Sequence, residues 1–222
     1  MRLALFDLDH TLIPFDSGMA WTRFLVRQGH LPAQSEADYL GYAHQYVAGT
    51  LDIHAMHRAC VAPLGRVDAV TLSGWISAFH AAMAPRVPAA MRALVDAHRA
   101  AGDLCAIVTA TTRPIATAFA ALFGVPHLLC TEPVFAPAAD GSPRLTGEIA
   151  GVPCFRGHKL DHVEAWLARL GHAPLAQAAH SVFYSDSASD LPLLQAVREP
   201  VAVSPDARLL AHAQTEGWRV IA

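Results

Sequence analysis

Apolar residues fall along this chain in two kinds of pattern. Three short unbroken runs, rich in branched and aromatic residues, each stop at an oxygen-bearing side chain: LALF before Asp7, LCAIV before Thr109 and SVFYS before Asp186. Unbroken apolar runs mean strands buried on both faces, and such strands belong to a parallel sheet covered by helices on either side. Apolar residues at helical spacing follow two of them, PIATAFAALFG after Thr109 and a short DLPLLQAV turn after Asp186. The order strand, helix, strand predicts an α/β fold with crossover connections.

In open sheets of this type ligands bind outside the carboxyl ends of the strands, where Asp7, Thr109 and Asp186 all fall. Any one of them alone reads better as the cap of a following helix or the opening of a turn. Three together predict a crevice lined with oxygen.

About a hundred residues separate Asp7 from Thr109, whereas one crossover takes about 30, so roughly 70 are surplus to the sheet. The surplus has helical periodicity throughout: SGMAWTRFLVRQG after an Asp16/Ser17 cap, SEADYLGYAHQYVAG after Ser35, DIHAMHRACVAPLG after Asp52 and DAVTLSGWISAFHAAM after Asp68. These predict a helical cap domain over 16–85, inserted into a core domain formed by 1–15 and 86–222. Pro85 and Pro88 punctuate the return, and PAAMRALVDAHRAAG supplies the crossover helix. Downstream, EPVFAP and RLTGEIAG flank the turn ADGSP and read as a hairpin projecting from the core. A helix starts near Gly157, and PVAV, DARLLAHAQTEG and WRVIA close the chain with further strand, helix and strand.

Composition narrows the classes of partner. The 222 residues are 53% hydrophobic and 16% charged, which excludes disorder and coiled coil as the main character. A net charge of -3 leaves no basic field to hold nucleic acid or a membrane surface, and neither is expected as a partner. Cys60, Cys105, Cys130 and Cys154 lie far apart with no CxxC pair and read as reduced thiols. The start MRLALFDLD meets a charge too early for a signal peptide, and no apolar run approaches the ~20 residues that span a bilayer. A cytoplasmic location is expected. The 13 histidines are scattered; His54 and His57 share a helix face near Met56 and Cys60, where packing is the better reading than metal ligation.

Charge adds one oddity. Of 16 basic residues only Lys159 is lysine, and it falls in the first turn of its helix, where the dipole already repels cations. A basic residue so placed points to an anion nearby.

Asp7-Leu8-Asp9-His10-Thr11 is a D-x-D-x-T motif, and with Thr109, Lys159, Asp186 and Asp190 in order the chain resembles the haloacid dehalogenase superfamily. FDLDHTLIPFDS, VTATTRPIATAFAALFGV, GVPCFRGHKL and YSDSASDLPLL narrow the likeness to its phosphoserine phosphatase-like subfamily IB. The resemblance implies a Rossmann-like core and a magnesium-dependent phosphatase acting on a small phosphomonoester, as a monomer or homodimer. It implies that Asp7 is the nucleophile, that Asp9 is the general acid and base, and that Asp7, Asp186 and the backbone carbonyl of Asp9 bind Mg2+. Thr109 and the N–H of Ala110 would bind the phosphoryl oxygens, and Lys159 would balance charge on nucleophile and phosphate. Asp190 would support a metal-bound water or Lys159, or else cap the helix that follows. Asp16 stands where phosphoserine phosphatases carry a glutamate that meets the substrate amine, and it also suits a helix cap. Arg58 could pair with a substrate carboxylate or lie on a solvated face. Phosphoserine, histidinol phosphate and phosphoethanolamine are the candidate substrates. A phosphotransferase and a non-catalytic phospholigand-binding module are the alternatives. Ser185 and Ser187 replace glycines common in the superfamily, and Thr112 stands where close relatives often have asparagine.

Overall fold

The computed structural model describes residues 1–222. Its centre is a six-stranded parallel sheet formed by β1 (Arg2–Phe6), β2 (Leu104–Thr112), β3 (His127–Thr131), β6 (His180–Ser185), β7 (Glu199–Val203) and β8 (Arg219–Ile221), in the order β3-β2-β1-β6-β7-β8. Alternate residues of each strand serve opposite faces. Leu3, Leu5, Ala106, Val108 and Phe183 meet the helices α7 (His158–Arg169), α8 (Leu191–Ala196) and α9 (Ala207–Glu216). Ala4, Phe6, Cys105, Ile107 and Val182 face the other way, toward α5 (Ala89–Ala100) and α6 (Arg113–Phe123). Burial on both faces is why these strands read as continuous apolar runs.

The segment between β1 and β2 folds into α1 (Ser17–Arg27), α2 (Gln34–Ala48), α3 (Ile53–Val61) and α4 (Ala69–Met83). Asp16, Asp52 and Asp68 each cap a helix, accepting from the backbone N–H groups of Met19, of His54 and Ala55, and of Thr71. The expected Ser35 cap is absent: α2 starts at Gln34, two residues before the start a Ser35 cap would give, with Ala33 in the cap position and no side-chain cap. An aromatic seam joins these helices to the layer on the sheet. Phe79 of α4, fully buried, meets Trp21 at 5.1 Å between centroids, Phe24 at 5.5 Å and Phe119 of α6 at 5.8 Å.

The hairpin, β4 (Pro133–Pro137) paired antiparallel with β5 (Pro143–Ile149), does not project freely. It lies against α3 and the 3-10 turn Ala62–Arg66. The reason is the inner face of β5, where Leu145 is buried with Val61 and Leu64 and Gly147 takes φ 89° with Ala62 directly over its Cα. A turn signal in sequence locates a hairpin but not the surface that will cover it. Strand β3 forms from the short apolar, strand-like run HLLCT that contains Cys130. All four cysteines are free thiols, and three are buried.

Candidate active site

The carboxyl ends of β1, β2 and β6 open into a cavity of ≈890 Å³ roofed by the inserted helices, with Asp7, Asp9, Thr109, Ala110, Lys159 and Asp186 on its wall. Asp7 follows the last residue of β1, and its backbone N–H bonds the carbonyl of Tyr184 in β6. Its Oδ1 accepts from Lys159 Nζ at 2.8 Å; no protein group donates to Oδ2. Lys159 is 4% exposed and also donates to Asp190 Oδ2 at 2.7 Å. Burial works against its charge, but Asp190 and Asp7 outweigh it and hold its pKa well above that of a free lysine.

Asp9 is anchored at both oxygens: Oδ1 accepts from Ser17 N–H at 2.7 Å and Oδ2 from the Thr111 hydroxyl at 2.7 Å. Burial, reinforced by Asp16 and Asp7, pushes its pKa up to about 7. Thr109 is buried where the β2–β3 ladder shifts register between Val108 and Thr112. Its Oγ1 accepts from Thr111 N–H at 3.1 Å, which leaves its own proton free for a ligand. Asp186 takes a bond from Thr11 Oγ1 at 3.2 Å, and burial with the Asp7 charge raises its pKa to about 8.

Asp190 makes no capping bond to α8. It faces inward, accepting from Lys159 and from Ser185 Oγ at 2.7 Å. Burial and Asp7 push its pKa to about 6 even against Lys159. The two serines in place of glycine therefore have work: Ser185 bonds Asp190, and Ser187 caps the 3-10 turn that follows. Thr112 meets the buried His57, whose Nε2 lies 3.4 Å from its hydroxyl while Nδ1 bonds the Gly147 carbonyl at 2.7 Å.

Four carboxylates around one lysine leave an excess of negative charge, and Asp190 Oδ1 is buried with no hydrogen-bond partner. Oxygen is the only donor among Asp7, Asp186 and the Asp9 carbonyl, so these residues fit a hard divalent cation such as magnesium. No three His, Cys, Asp or Glu side chains are grouped to hold an ion by themselves, so the third ligand would have to be the backbone carbonyl of Asp9. His158 and His162, a turn apart on α7, are exposed and half-buried respectively and engage Asp161 and the Val152 carbonyl.

Arg58 does not join the site. It is half exposed on α3 and pairs with Glu148 at 3.6 Å, away from the cavity wall, because its helix turns the opposite face inward. Asp16 lines the cavity while capping α1, so the helix-cap reading is observed and the residue also faces the space a ligand would occupy. Sequence reasoning missed Ser17 and Thr111, which hold Asp9, and Tyr39, whose hydroxyl donates to Asp16 Oδ1 at 2.7 Å. No local pattern marks a hydroxyl that becomes useful only across 23 to 102 positions.

A family model for haloacid dehalogenase-like hydrolases matches residues 4–195. A histidinol-phosphatase of Neisseria meningitidis serogroup C is 38% identical over 222 residues, 99% of this chain and 98% of that protein. A phosphoserine phosphatase of Mycobacterium tuberculosis is 28% identical over 98% of this chain and 69% of its own. Among solved structures, a Bordetella pertussis protein of unknown function superposes with a TM-score of 0.89 at 41% identity, covering 100% of this chain and 98% of that one. A substrate-bound phosphoserine phosphatase, at 17% identity over 99% and 92%, gives a TM-score of 0.67 and is alike in fold. No helix is long and apolar enough to cross a membrane.

Proposed function

This chain belongs to the haloacid dehalogenase-like hydrolases and is a phosphatase acting on phosphoric monoesters, and from that premise we propose that it cleaves a small phosphomonoester in a magnesium-dependent reaction through an aspartyl-phosphate on Asp7. The observation that carries this reading is the asymmetry of the Asp7 carboxylate, with Oδ1 bonded to Lys159 and Oδ2 free of protein donors. One oxygen is anchored; the other is available to phosphorus.

Asp7, Asp186 and the backbone carbonyl of Asp9 would hold the magnesium ion, which when bound draws charge from the phosphate dianion and lets a carboxylate approach it. Asp7 attacks phosphorus as the bond to the ester oxygen breaks, and Asp9 gives its proton to the departing alkoxide. Water then attacks phosphorus, Asp9 takes a proton from it, and the bond to Asp7 breaks to release inorganic phosphate. A pKa of about 7 suits Asp9 to both transfers near neutral pH. Thr109 Oγ1 and the Ala110 N–H hold the phosphoryl oxygens, and Lys159 holds the Asp7 carboxylate in place. Histidinol phosphate and phosphoserine, for which two relatives are named, are small amine-bearing phosphomonoesters and support this substrate range.

With magnesium, wild type should hydrolyse a general ester such as p-nitrophenyl phosphate; a chelator should stop it, and added magnesium should restore it. Asp7→Asn should lose at least about 10³-fold in kcat. Acid-quenched wild type should carry a hydroxylamine-labile phosphate that the variant lacks. Undiminished turnover by Asp7→Asn overturns the covalent route.

A further inference from the structure

A further cavity, of ≈680 Å³, lies where the inserted helices join the sheet, and it shares with the catalytic cavity only the wall formed by His10 and Asp16. Both connecting segments run along it, Pro14 and Phe15 between β1 and α1 and the 3-10 turn Ala84–Arg86 between α4 and α5. Three arginines reach this cavity, Arg23 and Arg27 from α1 and Arg86 from that turn. Asp16 is the one carboxylate on its wall, and Asp16 Oδ1 is already held by Met19 N–H and the Tyr39 hydroxyl.

The protein leaves most of this charge unpaired. Arg23 donates to Glu36 at 3.2 Å, but Arg27 and Arg86 are in none of the ion pairs that the other arginines form. The one acceptor that Arg86 reaches is the Met83 sulfur at 3.6 Å. Arg23 and Arg27 stand four positions apart on α1, where like charges repel. A cation in the last turn suits the dipole of α1, which explains Arg27 alone but not Arg86, outside that helix. The Arg86 guanidinium lies over the Phe15 ring, 4.0 Å from its centroid. Stacking uses the flat face of the group and leaves its N–H edge for a planar or tetrahedral anion.

We propose that this cavity is a separate binding site for a small polyanion, a molecule with two or more phosphate or carboxylate groups, which ties Arg27 of α1 to Arg86 of the returning segment. Each guanidinium gains a charge-assisted, two-pronged bond to an anionic group, and several such groups on one ligand answer several arginines. The volume admits more than a single phosphate. Met19 and Met83 on the wall are buried while the three arginines are exposed, so charge rings the mouth over an apolar floor. The chemistry differs from that of the catalytic cavity. There an anion meets clustered carboxylates and needs a divalent cation; here guanidinium groups outnumber the single carboxylate, and binding needs no metal.

Titration calorimetry on the wild-type chain, free of magnesium and at constant ionic strength, tests this with pyrophosphate and citrate as probes. At least one should bind at a single site with Kd below about 1 mM, pyrophosphate alone assigning phosphate groups and citrate alone carboxylates. Arg27→Gln and Arg86→Gln should each weaken that binding about tenfold. Arg156→Gln and Arg208→Gln, which alter arginines of the catalytic cavity, should leave it unchanged. With the probe bound, amide hydrogen exchange should slow over 23–28 and 84–88 and stay as it was over 109–112. The Arg27 side chain is exposed and unpaired, so Arg27→Gln reads the site without risk to the fold. Three results overturn the proposal: neither probe binding wild type below about 1 mM, wild-type affinity in Arg27→Gln, or loss of binding in Arg156→Gln or Arg208→Gln with protection over 109–112.

Discussion

At the strand ends of the cavity four carboxylates gather and two of them, Asp7 and Asp190, share one buried lysine; at its roof a helix with no buried residue, α2, is held by two phenols. Tyr39 bonds Asp16, and Tyr46 lies 3.2 Å from Ser187 Oγ and 2.9 Å from Ser189 Oγ. The first region is held by charge pairs shielded from water, where removing one member strands the others. The second is held by a phenol–carboxylate bond at Tyr39 and by neutral phenol–hydroxyl bonds at Tyr46, the latter each of modest net value. The contrast teaches where this molecule can change. Substitution is costly among the strand-end charges and cheap among the roof phenols.

Three substitutions sharpen or break that contrast. Lys159→Met removes the cation from Asp7 and Asp190 together, and urea unfolding should show a loss of about 3–5 kcal/mol, with activity abolished. A midpoint equal to wild type would mean that the strand-end charges do not bear on stability. Tyr46→Phe should cost only about 0.5–1.5 kcal/mol, and its effect should appear as faster proteolysis within α2. A loss matching that of Lys159→Met would erase the distinction between the two ends.

The smallest effect concerns pH. Burial keeps His57 neutral in the folded chain, so as pH falls the unfolded chain takes up its proton first, near ~6.5. The contribution is complete above that pH and is lost as pH falls below it. Between pH 7.5 and 5.5, His57→Gln should therefore lose less stability than wild type, by under about 1 kcal/mol. An unchanged slope would show that His57 is not held neutral.

Much of the architecture was legible because its signals are local. The runs ending at Asp7, Thr109 and Asp186 became β1, β2 and β6, and the helical pattern PIATAFAALFG became α6. The aspartate caps lie within three residues of the N–H groups they satisfy. Arg58 illustrates the limit. Its charge and its helix could be read, but which face of α3 turns toward Gly147 and Leu145 depends on a hairpin some ninety positions away. The hairpin itself was visible as a turn between two strands, while its seat on α3 was not.

By itself, then, the sequence determined the α/β layering, the inserted helices and the set of oxygen-bearing residues at the strand ends, since periodicity, caps and short motifs are written over a few neighbouring positions. Only the tertiary structure decided that Lys159 bridges Asp7 and Asp190, that Ser17 and Thr111 anchor Asp9, that Tyr39 fixes Asp16, and that Arg58 stays outside. The physical reason is that a buried polar group must be satisfied by whatever packing brings within about 3 Å of it, and that partner is chosen by the fold rather than by chain neighbours.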